Sequence, residues 1–170
     1  MNYTEKTYRE ARMVGVKAHS NQSYDEIFPY EKHLDDVVDV LKKFGFSGKY
    51  IVAGFLHDSI EDDGISYNDI KKHFGTEVAE MVYDVTDEQG RTRKEKKVKT
   101  LPKTAVNPDA IILKLADRIA NIEHGGKIDM YAKEYQEFKG ALYLNTPSDG
   151  KKMWEYLDAL LKVEEVQGFN

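Results

Sequence analysis

The chain has 170 residues, 41% of them hydrophobic and 11% aromatic, which is enough apolar surface for one domain with a real core. It contains no cysteine, which excludes disulfides, thiolate metal sites and cysteine nucleophiles, and its formal net charge of −5 argues against a general nucleic-acid binder. We expect a cytoplasmic protein, because residues 1–20 lack the apolar segment of a secretory signal and the longest apolar run, residues 51–56, is too short to cross a bilayer.

Apolar residues recur at helical spacing along most of the chain. The first predicted helix covers Glu5–Ala18. The second, Tyr30–Phe44, stops at Gly45, which stands where a C′ glycine is expected. A strongly apolar helix follows, built on Ile51–Leu56, and it carries the adjacent pair His57-Asp58.

Helix start and stop signals continue in the middle of the chain. Ser66 and Asp69 match a capping box for a short helix that ends at Gly75. Thr76 is predicted to cap the helix after it, and Pro108 suits the first position of a later one.

Three further helices are predicted, over Ile111–Ile122, from about Ile128 to Leu144, and over Ser148–Val163. Alternating β patterns are nearly absent, and no repeat or low-complexity linker marks a second domain. We therefore predict a single all-α domain, a helical bundle over residues 1–170.

The first chemical signal is His57 beside Asp58 at the end of an apolar run. A buried imidazole next to a buried carboxylate is costly unless something compensates both, and a divalent metal is the simplest compensator. Neighbouring residues on a helix differ by roughly 100° in direction, so both side chains can lean toward one ion. Glu61 and Asp62, one turn on, are close enough to line the same pocket. This pattern indicates a metal-dependent enzyme.

Asp117 is a second unusual carboxylate, because its helix is apolar on most sides, and Asn121 lies four residues on, on the same face. Asp117 has an alternative interpretation, in which it pairs with an arginine such as Arg118 or caps a neighbouring helix. His33, in the second helix, is the candidate third member, although a lone histidine there is more often a core or surface residue.

These residues resemble a known family. His33, His57-Asp58 and Asp117 stand in the H…HD…D order of the HD phosphohydrolase superfamily. The chain is also similar to the hydrolase domains of the RelA/SpoT type in four ordered segments within roughly Ala18–Asn121. These segments are Pro29-Tyr-Glu-Lys-His33 (P-Y-x-x-H), His57-Asp-Ser-Ile-Glu-Asp62 (HDxxED), Val85-Thr-Asp87 and Lys114-Leu-Ala-Asp-Arg-Ile-Ala-Asn121 (K-L-A-D-[RK]-x-x-N).

The resemblance implies an HD-domain helical bundle with one divalent ion, commonly manganese. Two imidazoles with two carboxylates suit Mn, Fe or Co better than Mg. The implied reaction removes the 3′-pyrophosphate of guanosine 3′,5′-bis(diphosphate), ppGpp, by attack of a metal-activated water. The implied roles are metal ligation by His33, His57, Asp58 and Asp117, water orientation and proton handling by Glu61 and Asp62, and contact with the nucleotide or its ribose by Asn121.

A basic segment, Arg91–Lys99, holds six basic residues in nine. Positive charge of this kind would offset repulsion between a polyphosphate and a carboxylate-lined site, and we take Arg93 and Lys97 as the preferred phosphate contacts. The alternative is a solvated run of charges. No aromatic residue interleaves with these charges, which argues against a nucleic-acid patch.

The sequence also departs from the family. Alarmone hydrolases usually carry a basic pair in a segment resembling H-x-x-Q-x-R-K, whereas His19–Ile27 contains no arginine or lysine. Tyr24 in that segment could stack on a base instead. We expect a small-molecule nucleotide substrate and no stable nucleic-acid or membrane partner, with a homo-oligomer as an open possibility. Another nucleotide (dNTP, NMP or NADPH) is an alternative substrate, and a nucleotide sensor without turnover is a less favoured alternative.

Overall fold

The computed structural model describes residues 1–60 and 64–168, with side chains described as far as residue 162 at the end. Helices dominate these residues, which confirms the prediction of an all-α fold. The α-helices of the described chain are α1 Glu5–Ala18, α2 Glu31–Lys43, α3 Lys49–Leu56, α4 Tyr67–Phe74, α5 Thr76–Val85, α6 Arg93–Ala105, α7 Pro108–His124, α8 Ile128–Leu142 and α9 Lys151–Gly168.

A small hairpin connects α1 to α2. Its strands, β1 (Ser23–Tyr24) and β2 (Phe28–Pro29), are antiparallel, and Tyr24 lies opposite Phe28. Asp25 and Glu26 between them adopt left-handed backbone angles, with φ of 56° and 61°. This hairpin is the one β element in the described residues, and no alternating pattern in the sequence predicts it.

Several helix ends lie where local signals in the sequence predict them. Gly45 has a φ of 86° and follows the end of α2, as expected of a C′ glycine. Ser66 and Asp69 form the predicted capping box of α4. Asn107 accepts hydrogen bonds from the first turn of α7, with Pro108 at the first helical position. Each signal satisfies backbone groups that the helix end leaves unpaired.

Two predictions about helix ends near the middle of the chain are wrong. His57 and Asp58 do not lie on the apolar helix, because α3 ends at Leu56 and the pair occupies the turn after it. Thr76 does not cap α5: it is the first helical residue, and Gly75, with a φ of 97°, occupies the cap. The positive φ explains the second error, because glycine adopts that angle without steric cost.

The last two helices differ slightly from their predicted bounds. Helix α8 ends at Leu142, and its predicted continuation is a 3-10 turn, Tyr143–Asn145. Another 3-10 turn, Ser148–Gly150, precedes α9, which was predicted to begin at Ser148.

Helices α3 and α7 form the centre of the core. Every residue of Ile51–Leu56 is buried, and α7 is buried along most of its length. Helix α1 packs closely on α3 at Gly15, where a Cβ would lie 2.1 Å from the carbonyl oxygen of Phe55. Trp154 of α9 is 1% exposed and covers the other end of the core. None of the described helices combines the length and apolar character needed to cross a membrane. The single domain over residues 1–170 stays a prediction.

Candidate metal centre and nucleotide site

Four of the predicted ligands converge between α2, the turn after α3, and α7. His33 lies in α2, His57 and Asp58 follow α3, and Asp117 lies in α7. The Nε2 atoms of His33 and His57 are 3.2 Å apart. Asp117 Oδ1 lies 3.0 Å from His33 Nε2 and 3.3 Å from His57 Nε2. Asp58 Oδ2 lies 3.1 Å from His57 Nε2 and 3.8 Å from His33 Nε2.

Neighbouring groups orient these side chains. The Nδ1 atom of His57 lies 2.8 Å from the carbonyl oxygen of Gly54, one turn back. A proton on Nδ1 satisfies that carbonyl and leaves the Nε2 lone pair directed at the centre, a common arrangement for a metal-binding histidine. The Tyr30 hydroxyl donates a hydrogen bond to Asp58 Oδ2. His33 Nδ1 is buried and has no hydrogen-bond partner among the described residues.

The charges of the cluster depend strongly on one another. Burial opposes a charge on His57, but the carboxylates of Asp58 and Asp117 outweigh it and raise the His57 pKa well above its ordinary value. Burial also opposes ionisation of Asp58, yet His57 holds the Asp58 pKa below its usual range. The Asp117 pKa is likewise lowered, against burial, by hydrogen bonds from His33 and His57. Positive charge is therefore favoured at the point where these side chains meet.

The donor set fits a divalent metal ion. Ligand atoms about 2.0–2.2 Å from one ion lie roughly 3 Å from one another. The separations here that involve a histidine Nε2 are 3.0–3.8 Å. Donor atoms of His33, His57 and Asp58 all lie within 4.8 Å of one another. Two imidazole nitrogens and two carboxylate oxygens suit a borderline transition ion better than Mg²⁺.

Asn121 lies between the candidate metal ligands and a neighbouring cavity. Its Nδ2 donates to Asp117 Oδ1 at 3.1 Å, and its Oδ1 accepts from the hydroxyl of Tyr24 at 2.7 Å. The cavity, of about 240 Å³, is lined by Tyr24, Asn121 and Tyr131 together with the loop Gly125-Gly126. Asn121 is therefore placed where a ligand in the cavity could reach it beside the candidate metal ligands.

Lys97 lies in a chain of charges that leads to Asp117. Its ammonium is 2.9 Å from Asp87 Oδ1, and Lys114, whose charge acts on both Asp87 and Lys97, lies 3.6 Å from Asp117 Oδ2. Burial and the like charge of Lys114 lower the Lys97 pKa to about 8. The segment Arg91–Lys99 is thus not uniformly solvated, because the side chain of Lys97 is only 14% exposed.

Arg93 forms a two-pronged ion pair with Glu134 of α8, at 2.5 and 3.1 Å. Arg118 lies 3.7 Å from the same carboxylate, and its guanidinium is stacked between the rings of Tyr131 and Phe138. Arg118 thus forms its ion pair with Glu134, and the charge of Asp117 acts on it only at longer range. Arg93, Lys97, Arg118 and Phe138 line a second cavity of about 390 Å³ between α6 and α8.

Glu61 and Asp62 lie outside the described residues, so their predicted roles stay predictions. Two residues that contact the candidate ligands were not predicted from the sequence. Tyr30 contacts Asp58, and Lys114 contacts Asp117. Both residues stand inside segments that carry the family resemblance, which is the signal that could have drawn attention to them. Tyr131, which lines the cavity beside Asn121, is otherwise buried, with 8% of its surface exposed.

Comparison with known families agrees with the geometry. The model of the HD domain family matches residues 11–138, a span that includes all four candidate ligands. The chain belongs to the HD domain family. This places the cluster of His33, His57, Asp58 and Asp117 in a family that implies a divalent metal.

This HD domain resembles parts of much longer curated proteins. It is 34% identical over 109 residues to a guanosine-3′,5′-bis(diphosphate) 3′-pyrophosphohydrolase of Aquifex aeolicus, covering 62% of this chain and 16% of that protein. It is 32% identical over 130 residues to the bifunctional (p)ppGpp synthase/hydrolase SpoT of Escherichia coli, covering 72% of this chain and 18% of SpoT. The matched region is thus less than a fifth of these relatives.

The HD domain also has a structural counterpart of its own size. A solved structure of a metazoan SpoT ortholog, described as hydrolysing ppGpp, superposes with a TM-score of 0.77 at 21% identity. The match covers 96% of this chain and 98% of that one. At this identity the likeness shows the shared fold, and it confirms the predicted HD-domain helical bundle.

Proposed function

We propose that this HD domain is a divalent-metal-dependent pyrophosphohydrolase that removes the 3′-pyrophosphate of ppGpp. The observation that carries the proposal is the convergence of four donor atoms, with the two histidine Nε2 atoms 3.2 Å apart. The names of the curated relatives support the substrate. The HDxxED and K-L-A-D-R-x-x-N segments of this chain, which resemble those of RelA/SpoT-type hydrolase domains, support the reaction.

His33, His57, Asp58 and Asp117 would hold the ion, and we propose Mn²⁺. When bound, the ion supplies Lewis acidity and makes a water molecule acidic enough to serve as the nucleophile at neutral pH. Gly54 and Tyr30 keep His57 and Asp58 directed at the centre. Glu61 and Asp62 are proposed to orient the attacking water and handle its protons.

The cationic side chains of α6 are proposed to bind phosphate. The substrate carries two diphosphate groups, and they would be repelled by the carboxylates of Asp58 and Asp117 unless positive charge lay nearby. Lys97 is connected to Asp117 through Asp87 and Lys114, and Arg93 lines the cavity next to it. Arg93 and Lys97 are therefore the proposed phosphate contacts, and Asn121 the proposed contact with the ribose.

One observation favours a second candidate substrate. Tyr24 and Asp25 occupy the positions of the basic pair that alarmone hydrolases usually carry. An uncharged ring and a carboxylate cannot bind phosphate as two cations do, so another nucleotide, such as a dNTP, an NMP or NADPH, is the alternative substrate of the same metal centre. The cytoplasmic location and the oligomeric state stay predictions.

The test is a substrate panel with purified protein and added Mn²⁺. We expect release of pyrophosphate from ppGpp and a slower reaction, or none, with dGTP, GMP and NADPH. Release of inorganic phosphate from one of the other nucleotides, with ppGpp untouched, would replace the proposed substrate by the alternative. Product analysis by anion-exchange chromatography distinguishes pyrophosphate from phosphate in each reaction.

A variant separates an enzyme from a sensor. Asp58→Asn removes one carboxylate ligand and should abolish turnover of every nucleotide in the panel. The matched control is Asp149→Asn, an exposed position in the 3-10 turn before α9, which should turn over like the wild type. If wild-type protein binds ppGpp but turns over no nucleotide with any divalent ion, the chain is a sensor and the proposed activity is wrong.

A further inference from the structure

Tyr24 lies between the metal-binding cluster and the neighbouring cavity. Its ring centroid is 4.8 Å from that of His33 on one side and 4.5 Å from that of His124 on the other. Its hydroxyl oxygen is 2.7 Å from Oδ1 of Asn121. Tyr24 therefore contacts a predicted metal ligand through its ring and a predicted substrate contact through its hydroxyl.

The direction of these hydrogen bonds is determined by Asp117. An ionised carboxylate can only accept hydrogen bonds, so the side-chain group of Asn121 that faces Asp117 must be its amide nitrogen. The amide oxygen of Asn121 then faces Tyr24, and the Tyr24 hydroxyl must donate to it. The carboxamide is thus held at both ends, by a carboxylate on one side and a phenol on the other.

The backbone holds Tyr24 in this place at some cost. Asp25 and Glu26, directly after Tyr24, are non-glycine residues with φ of 56° and 61°. Such angles are unfavourable for residues with a Cβ and persist when surrounding contacts impose them. One such contact is His124 Nε2, 3.3 Å from Asp25 Oδ2. The hairpin is therefore tied to the end of α7, the helix that carries Asn121.

We propose that Tyr24 is a positioning residue whose hydroxyl holds the Asn121 carboxamide in the orientation that the nucleotide requires. The proposal rests on the proposed function, because it assigns Asn121 a contact with the substrate. Without the hydroxyl, the Asn121 amide keeps only its bond to Asp117 and can rotate about its side-chain torsions. A neutral hydrogen bond of this kind changes an equilibrium by roughly two- to tenfold.

A double-mutant cycle tests the proposal. Tyr24→Phe keeps the ring contacts with His33 and His124 and removes only the hydroxyl, and Asn121→Ala removes the group on which it acts. We expect Tyr24→Phe to lower kcat/KM for ppGpp about fivefold with unchanged metal content. In the Asn121→Ala background the same change should have no further effect, because coupled residues are not additive.

The matched control is Tyr67→Phe, which removes the hydroxyl that donates to Glu80 on the surface formed by α4 and α5. It should leave kcat/KM unchanged. The proposal is overturned if Tyr24→Phe does not change kcat/KM. It is also overturned if Tyr24→Phe lowers kcat/KM by the same factor in the Asn121→Ala background as in wild type. The second result would mean that Tyr24 acts on the substrate directly or on the fold.

A readout without turnover keeps this test separate from the proposed function. The side-chain amide signal of Asn121, identified in ¹⁵N-labelled protein by its loss in Asn121→Ala, should shift and exchange faster with water in Tyr24→Phe than in wild type. Tyr67→Phe should leave it in place. An unchanged Asn121 signal in Tyr24→Phe overturns the positioning role even if no nucleotide is hydrolysed, whereas a shifted signal in an inactive protein contradicts only the proposed reaction.

Discussion

The Nε2 atoms of His33 and His57 lie 3.2 Å apart in the buried centre of the HD domain, on side chains 3% and 2% exposed. Each nitrogen also lies 3.0–3.3 Å from Asp117 Oδ1. Two imidazoles turned toward each other and toward carboxylates need a cation between them, either protons or a metal ion. The family to which the chain belongs favours the metal.

Gly15 and Gly140 should respond in opposite ways to alanine. A helix with glycine at an interior position is usually about 1 kcal/mol less stable than the same helix with alanine there. At Gly140 nothing lies within 4 Å of an added Cβ, so Gly140→Ala should stabilise the protein by up to about 1 kcal/mol. At Gly15 the Cβ would lie 2.1 Å from the Phe55 carbonyl oxygen, so Gly15→Ala should destabilise it by about 3 kcal/mol.

Urea unfolding in the presence of a chelator measures both changes without a contribution from metal binding. A stabilising Gly15→Ala would show that α1 and α3 are not packed at this distance. Such a result would also place the start of the hairpin, and therefore Tyr24, differently.

Lys97 should give the reaction a pH dependence. Burial and Lys114 lower its pKa to about 8, so its charge is lost as the pH rises through that value. If the charge binds phosphate, kcat/KM should fall above about pH 8, because kcat/KM reports the pKa values of the free enzyme. Lys97→Arg keeps the charge at all these pH values and should remove that limb of the profile. If kcat/KM falls above about pH 8 in Lys97→Arg as it does in wild type, the fall is due to the titration of another group.

The lowered pKa of Lys97 also makes the stability of the fold depend on pH. Stability should rise over the pH range in which kcat/KM falls. The Lys97 pKa is lower in the folded protein than its ordinary value of 10.5, so between about pH 8 and 10.5 the unfolded chain binds more protons at this residue. The contribution of Lys97 to the free energy of unfolding should therefore increase with pH across that window. Comparison with Lys97→Met by urea unfolding isolates this contribution, and a wild-type advantage that shrinks with rising pH would contradict it.

Arg93 and Arg91 offer a matched pair in the basic segment. Arg93 lines the cavity between α6 and α8, whereas Arg91 has a side chain 90% exposed and pairs with Glu95. Arg93→Gln should raise KM for ppGpp roughly tenfold, because a hydrogen bond to a charged group contributes about 1.5–3 kcal/mol. Arg91→Gln should leave KM unchanged. Equal KM values for the two variants would contradict a phosphate contact at Arg93.

Glu61→Gln tests the proposed proton-handling role. The variant should keep its metal ion and lose turnover by about 10²–10⁴-fold, the usual contribution of an acid–base group. Metal analysis of the purified variant accompanies the rate measurement. Depletion of the ion to the level of a ligand variant would instead make Glu61 a direct ligand.

The sequence predicted much of the fold because the signals involved are local. Helix periodicity, the capping box at Ser66 and the glycine after α2 each depend on a few neighbouring residues. The same is true of Pro108 at the start of α7. The errors arose where local signals compete, as at Thr76, where the adjacent glycine takes the cap.

The cluster of candidate metal ligands could be predicted in part. His57 and Asp58 stood out because their neighbours are apolar. His33 was only one candidate until the family resemblance favoured it, since nothing local distinguishes a ligand from a buried histidine. The position of Tyr24 could not be predicted, because its contacts reach residue 121 across 97 positions of sequence. Long-range contacts of this kind depend on how the hairpin packs against α7, which no local pattern encodes.

The most direct test of the central claim is a calorimetric titration of the metal-free HD domain with Mn²⁺. Wild type and the surface control His73→Ala should each bind one equivalent, whereas His57→Ala, checked for folding by circular dichroism, should bind at least about 100-fold more weakly, since even an outer-shell change costs 10–100-fold. Absence of binding by folded wild type, or equal binding by His57→Ala, would contradict a metal centre at these four residues.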